Sequence, residues 1–281
     1  MERPRVRLLL SEPLRGDLAA QLLELRKRSE FKGLRSVILL AAGDFQLVQT
    51  EAPPVPRAEW KEALRWKLKD MLEFAAEEAV FDVLDIPTEE FAPNRPRAAF
   101  VVAARRERVA ARLAPFDKAA FPVSVVDVPE TAQRNIAALF EEENRGIACI
   151  AFDDHAALLT VTFHGELYAA RRIDVPLGQI DAADHDRRAQ LFERVALEAQ
   201  RTLDAFDRQF SFMTVSKLLV TPRPELAGFV DVLAANLYVP LEMIDMSKVL
   251  EFEADSPLLR PAEQSRLLYA IGAALRPEDG A

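Results

Sequence analysis

Ile147-Ala148-Cys149-Ile150-Ala151-Phe152, then Ala156-Ala157-Leu158-Leu159-Thr160-Val161-Thr162-Phe163, then Glu166-Leu167-Tyr168-Ala169-Ala170-Arg171-Arg172-Ile173 are short apolar or alternating runs, the pattern of three successive β-strands. His164-Gly165 between the last two has the composition of a tight hairpin turn. Downstream the period changes to 3.6. Leu191, Val195, Ala199, Thr202 and Phe206, with Phe192, Leu203 and Phe210 beside them, predict a long helix over 186–210. A strand at 217–220, a helix at 225–237, a strand at 241–246 and a final helix at 262–275 complete this half.

Upstream, Glu141-Glu142-Glu143-Asn144-Arg145-Gly146 is polar and ends in a helix-stop glycine, so the domain division is placed at 145/146. The earlier half also alternates. Strands at 34–40 and 45–50 flank an Ala42-Gly43-Asp44 turn. Pro53, Pro54 and Pro56 precede a helix over 57–74, where proline is tolerated. Then come a strand at 79–86, a proline-rich loop at 92–96, a strand at 98–103, a basic helix at 105–113, a strand at 123–128 and a helix at 131–140. Thr131 stands where an N-cap would, although Arg134 prevents a capping box. Strands alternating with helices in each half predict two α/β lobes, 1–145 and 146–281; one larger α+β domain is the alternative.

The chain is 281 residues long, 50% hydrophobic and 29% charged, with a formal net charge of −9. That acidity lacks the basic footprint of general nucleic-acid binding and disfavours adsorption to an anionic membrane. It suits a basic partner segment. The longest near-apolar run, Val37 to Ala42, is far short of the ~20 residues of a bilayer span. The basic start Arg3-Pro4-Arg5-Val6-Arg7 is followed only by Leu8-Leu9-Leu10, too short for a signal peptide, so the cytosol is the expected compartment. Cys149 is the single cysteine and reads as a buried, inert thiol. The nine glycines are scattered, and none cluster into a loop that could cradle phosphate on bare backbone.

Catalytic chemistry finds little support. His155, His164 and His185 do not fall at metal-ligand spacing, so no metal or cofactor is expected. Asp153 and Asp154 could hold a cation, but exposed turn residues are the plainer reading. The helix at 57–74 is more informative. Trp60, Ala63, Leu64, Leu68 and Met71 form its buried stripe, while Trp66 points about 140° away from it. Glu59, Glu62, Asp70 and Glu73 flank that tryptophan, and Lys61, Arg65 and Lys69 form a separate basic ridge. Either a second layer of the lobe covers Trp66, or it anchors a partner segment inside an acidic rim. The candidate partner-binding residues are Trp66, Glu62, Asp70, Glu73 and Phe74.

Several stretches resemble a known family in that family's order. They include Val37-Ile38-Leu39-Leu40, Asp44-Phe45-Gln46-Leu47-Val48-Gln49, Glu51-Ala52-Pro53-Pro54-Val55-Pro56 and Glu62-Ala63-Leu64-Arg65-Trp66-Lys67-Leu68-Lys69-Asp70. Val101-Val102-Ala103-Ala104, Gly165-Glu166-Leu167-Tyr168-Ala169-Ala170-Arg171-Arg172-Ile173 and Leu197-Glu198-Ala199-Gln200-Arg201-Thr202-Leu203-Asp204 continue the match. Together they resemble the MshI proteins of MSHA-type pilus systems, a group similar to the broader PilM family of pilus-assembly proteins. The resemblance implies a two-lobed actin-like (hexokinase/Hsp70-type) fold, with a shortened N-terminal sheet and an inserted α/β subdomain at about 51–122. It also implies a place at the cytoplasmic face of the inner membrane, the cytoplasmic tail of a PilN-like single-span protein as partner, and an assembly ATPase as a further possible partner.

Departures from that family concern the nucleotide. Actin-like ATPases carry glycine-containing phosphate hairpins and a glycine-rich adenosine turn. Here the first lobe opens Arg5-Val6-Arg7-Leu8-Leu9-Leu10, the second hairpin reads Phe152-Asp153-Asp154-His155-Ala156-Ala157, and the adenosine turn reads Val220-Thr221-Pro222-Arg223-Pro224. A pseudo-ATPase adaptor is therefore expected. An active ATPase or kinase, or a component of a type II secretion platform, is the alternative.

Overall fold

A computed structural model describes residues 3–87 and 97–276. The proline-rich loop expected at 92–96 lies outside the described residues. Packing divides the chain into two compact units, Ser11–Pro129 and a second comprising Glu130 onward together with the first ten residues. Composition drew the line at 145/146 instead and kept the N-terminus with the first lobe. The N-terminal residues join the second unit by a parallel bridge between Arg5 and Glu251, with Val6 N–H donating to the Glu251 carbonyl at 3.0 Å.

In the first unit, α1 (Leu18–Lys27) is capped by Asp17, whose carboxylate accepts from Ala19 N–H, and it ends on Arg26 and Lys27, which suit the negative helix terminus. Strands β1 (Val37–Leu39) and β2 (Phe45–Glu51) flank the Ala42-Gly43-Asp44 turn but do not pair with each other. β1 pairs in parallel with β5 (Val125–Asp127), whereas β2 lies at one edge of a three-stranded antiparallel sheet, order β2-β4-β3. The turn at Ala41–Asp44 redirects the chain because Leu40 N–H is already committed to the Asp127 carbonyl at 2.9 Å. In that sheet β3 (Ala79–Ile86) pairs antiparallel with β4 (Ala98–Arg105) along their whole length.

Alternation on β4 sends Ala99, Val101 and Ala103 to one face, where Trp60, Leu64 and Leu68 of α2 (Trp60–Lys67) and its following turn cover them. The opposite face packs Leu47, Val80 and Val102 with Val109 of α3 (Arg106–Lys118). The helix predicted over 57–74 is shorter than expected. It is bounded by 3-10 turns at Arg57–Glu59 and Leu68–Asp70. Met71 and Leu72 both donate to the Leu68 carbonyl, and Glu73 N–H turns to the Gln46 side chain at 3.0 Å, so the ladder stops.

Helix α4 (Pro129–Ala138) starts earlier than predicted. Proline needs no N–H partner in a first turn, so the chain enters the helix at Pro129. Thr131 is buried inside that turn and is not an N-cap.

The second unit is built on a five-stranded mixed sheet, order β10-β9-β6-β7-β8. β6 (Gly146–Phe152), β7 (Ala157–Phe163) and β8 (Glu166–Ile173) form the antiparallel meander read from sequence. His164 (φ 50°) and Gly165 (φ 76°) both take positive φ, as a type I′ turn requires. β6 and β7 are buried along their whole length, so their apolar runs need a cover on both faces. After β8 come α5 (Leu177–Asp181) and α6 (His185–Gln209), the latter capped by Asp184 and burying Leu191, Phe192, Val195, Ala199, Leu203 and Phe206. β9 (Val215–Val220) runs parallel to β6, and β10 (Leu241–Met243) parallel to β9. The expected helix at 225–237 is a 3-10 turn followed by α7 (Phe229–Asn236), which opens at Gly228 with φ 83°.

The predicted final helix is broken into α8 (Pro261–Arg266) and α9 (Leu268–Ala274). Side chains pin both pieces. Gln264 accepts from Met246 N–H at 2.7 Å and donates to the Leu258 carbonyl at 2.8 Å, while Asn135 of α4 donates to the Gly272 carbonyl at 2.8 Å.

Candidate functional site

The two tryptophans of α2 have opposite fates. Trp60 is fully buried, its indole N–H donating to the Val55 carbonyl at 3.0 Å and Arg97 lying 4.9 Å over its ring. Trp66 is 73% exposed, so the covering second layer is not found among the described residues. Large aromatic surface left in water is costly, and among the described residues of the first unit Trp66 is the single aromatic that is an exposed large hydrophobic. Lys69 Nζ stands 5.0 Å from the Trp66 ring centre, a cation–π geometry.

The basic ridge is spent locally. Lys61 pairs with Asp82 at 2.9 Å, Lys69 with Glu77 at 2.9 Å, and Arg65 lies 5.6 Å over Phe81. The hydrogen bond from Lys69 holds the Glu77 carboxyl below its usual range. Glu62 is exposed one turn before Trp66 on the same face of α2, and Asp70 is exposed in the 3-10 turn that follows. The three residues are thus all exposed, with Glu62 and Trp66 on one face of α2 and Asp70 just beyond its end.

Glu73 and Phe74 belong to an adjoining feature. Phe74 is half-buried against the α2 cluster, with the Arg105 guanidinium 4.7 Å over its ring. Both residues line a cavity of about 160 Å³ with Gln46, Arg105 and Arg108. Arg105 also pairs with Glu78 at 2.6 Å.

At the β6–β7 turn of the second unit, the Asp153 carboxylate accepts from His155 N–H at 2.8 Å and Ala156 N–H at 2.9 Å. The Asp153 carbonyl takes Leu177 N–H at 2.9 Å. Two backbone donors of this turn are thus taken by a carboxylate and the Asp153 N–H by the Ala156 carbonyl, so none of the three points free toward an anion. In the turn after β9, Pro222 and Pro224 have no N–H to offer, and the Pro222 carbonyl accepts from the Ser265 hydroxyl at 2.7 Å.

Cys149 is fully buried, and burial pushes its thiol pKa well up. Among the described residues no group of three or more His, Cys, Asp and Glu could hold a metal ion, and no helix is long and apolar enough to cross a membrane. The sequence shows no sign of the buried ion pair between Glu130 and Arg172. Glu130 is 1% exposed and accepts from Arg172 Nε at 2.8 Å. A glutamate in a first helical turn ordinarily reads as solvated, so no local signal marks it.

No protein-family model and no curated protein matches the chain. Among solved structures, a chain of a "PilM-PilN type IV pilus biogenesis complex" is similar with a TM-score of 0.71 and 21% identity, over 97% of this chain and 89% of that one. The cytoplasmic domain of EpsL, an inner membrane component of the type II secretion system of Vibrio cholerae, gives 0.44 at 18% identity, over 89% and 80%. A Bacteroides thetaiotaomicron protein with an actin-like ATPase fold and unknown function gives 0.45 at 9%, over 83% and 77%. The chain has the α/β fold of the PilM–PilN complex chain, the actin-like fold.

Proposed function

We propose that the protein is a non-catalytic adaptor of a type IV pilus assembly platform of the MSHA type, an MshI-like member of the PilM group. It works at the cytoplasmic face of the inner membrane and binds the cytoplasmic tail of a PilN-like single-span partner. One observation carries this reading: the fold matches, nearly end to end, a chain from a complex named for PilM and PilN. A tail emerging from a membrane span toward the cytosol tends to bear Lys and Arg. Trp66 between Glu62 and Asp70 offers such a tail an aromatic anchor and carboxylates.

Trp66→Ala is expected to leave the fold and melting temperature unchanged, because the indole is mostly solvent-exposed. It should weaken binding of a synthetic tail about 30-fold, roughly 2 kcal/mol. Calorimetry with that peptide checks this; parent-like affinity in a folded variant rejects Trp66 as the anchor.

The non-catalytic part of the reading is supported by the Asp153-closed turn and the prolines at 222 and 224. Millimolar Mg-ATP should therefore leave the melting temperature unmoved. A nucleotide at a hundred times its dissociation constant would add about 2.7 kcal/mol, several degrees for a domain this size. A shift of that order would return the protein to the active ATPase or kinase class.

A further inference from the structure

We propose that α6 carries the interface of a homodimer, its exposed stripe lying antiparallel on the same stripe of a second copy. The stripe runs Asp186, Gln190, Glu193, Leu197, Arg201, Asp204 and Arg208. Successive steps of 4, 3, 4, 4, 3 and 4 residues read the same from either end. At 100° per residue each member lies within about 40° of Leu197, so they share one face of the helix. All are exposed except Asp204, which is half-buried. Leu197 is 44% exposed and is the one exposed large hydrophobic of α6. It stands at the centre of the palindrome.

Charge is ordered along the stripe. Its N-terminal half carries Asp186 and Glu193, its C-terminal half Arg201 and Arg208. Asp186 and Arg208 suit the two ends of the helix dipole, an effect confined to the first and last turns. Glu193 and Arg201 stand in the middle turns of a 25-residue helix, where the dipole gives no reason for that order. A two-fold axis at Leu197 does. Turning a second copy antiparallel sets Asp186 opposite Arg208 and Glu193 opposite Arg201, each twice, with Leu197 against itself. Asp204, the one acid in the basic half, meets Gln190, whose amide N–H can donate to a carboxylate. A parallel alignment would instead set each charge against its own kind.

These groups are available to a second copy. Asp186, Glu193 and Arg208 make no ion pair or side-chain hydrogen bond among the described residues. Gln190 uses its carbonyl oxygen to accept from Arg187 at 3.2 Å, which leaves its amide nitrogen. Arg201 pairs with Glu198 at 3.0 Å, but Glu198 also takes Arg171 at 2.9 Å, and an exposed pair of this kind holds a side chain weakly. A broad polyanion or an anionic lipid surface would have to cover Asp186, Glu193 and Asp204 as well as the arginines, so neither fits the stripe. One helix pair about 33 Å long makes a small interface. A dissociation constant on the order of 10 µM is therefore expected.

The test is sedimentation velocity of the intact protein from about 1 to 200 µM, a range that brackets that constant. The parent should pass from monomer to dimer. Leu197→Glu, which places two carboxylates at the axis, should remain monomeric. Glu193→Arg and Arg201→Glu each oppose like charges twice, and each should weaken the dimer at least about tenfold. Mixed in equal amounts, these two variants should associate as tightly as the parent, because each reversed stripe complements the other though not itself. All three substitutions are at exposed positions, so circular dichroism and the melting temperature should stay parent-like. A parent that is monomeric throughout overturns the proposal. So does a dimer that survives Leu197→Glu, or a pair of folded charge variants that fail to associate when mixed. No tail peptide or nucleotide enters these measurements, so their failure leaves the adaptor reading standing.

Discussion

Gly272→Ala is expected to destabilise the second unit by at least about 4 kcal/mol, enough to leave much of the protein insoluble or unfolded. A Cβ built at Gly272 would stand 2.0 Å from the Ala132 carbonyl oxygen and 2.6 Å from its carbon. Those atoms are backbone of α4, so no side-chain rotation relieves the overlap, and the two helices must separate. Separation also breaks the hydrogen bond from Asn135 to the Gly272 carbonyl and opens the cluster of Ile136, Ile147, Cys149, Leu268 and Ile271. Helix propensity alone would favour alanine by up to ~1 kcal/mol, so the sign of the effect separates packing from propensity. Gly178→Ala is the control. It stands at the start of α5 with nothing within 4 Å of its would-be Cβ, and it should change stability little. Urea denaturation of the two variants decides the matter; a Gly272→Ala protein as stable as the parent would refute the close approach of α4 and α9.

Glu130→Ala should cost about 3 kcal/mol. The carboxylate is almost wholly buried, and its partner Arg172 is largely so, at 26% side-chain exposure. Burial on its own would lower the Arg172 pKa; the Glu130 charge and hydrogen bond more than offset this and raise it. Truncating Glu130 removes that offset and leaves a cation in a site that disfavours charge. Because Arg172 keeps some contact with water, the loss falls toward the lower end for broken buried pairs. Glu130→Gln, which keeps shape and one acceptor, should cost less than Glu130→Ala. The double variant Glu130→Leu with Arg172→Met should recover most of the loss, since a matched apolar pair carries no desolvation cost. Thermal unfolding of the four proteins tests the order; a Glu130→Ala protein within ~0.5 kcal/mol of the parent would contradict the burial of this pair.

The candidate patch was partly legible in sequence. Spacing of 3.6 separated Trp60, Leu64 and Leu68 from Trp66, and it placed Glu62 and Asp70 a turn to each side. It did not show that nothing in the described structure covers Trp66, because cover comes from residues distant in sequence. It also put Glu73 and Phe74 on the same helix, whereas Gln46 draws off the Glu73 N–H and ends the helical ladder before them. The competition was between a helix carbonyl and a side chain from β2, and only the folded chain brings that side chain there.

The same division holds across the fold. Strands β6, β7 and β8, the His164-Gly165 turn and helix α6 follow from the chain's own periods and from one pair of positive φ angles, which are properties of neighbouring residues. Tertiary structure alone decided that β1 pairs with β5 while β2 joins another sheet, that the last helix breaks between α8 and α9, and that Glu130 is buried. Each of these depends on which distant group takes a backbone hydrogen bond or fills a space, and chain-local pattern carries no record of that partner. Amino-acid order sets the repeat of an element, whereas its neighbours in space determine where it stops, what it pairs with and which of its side chains reach water.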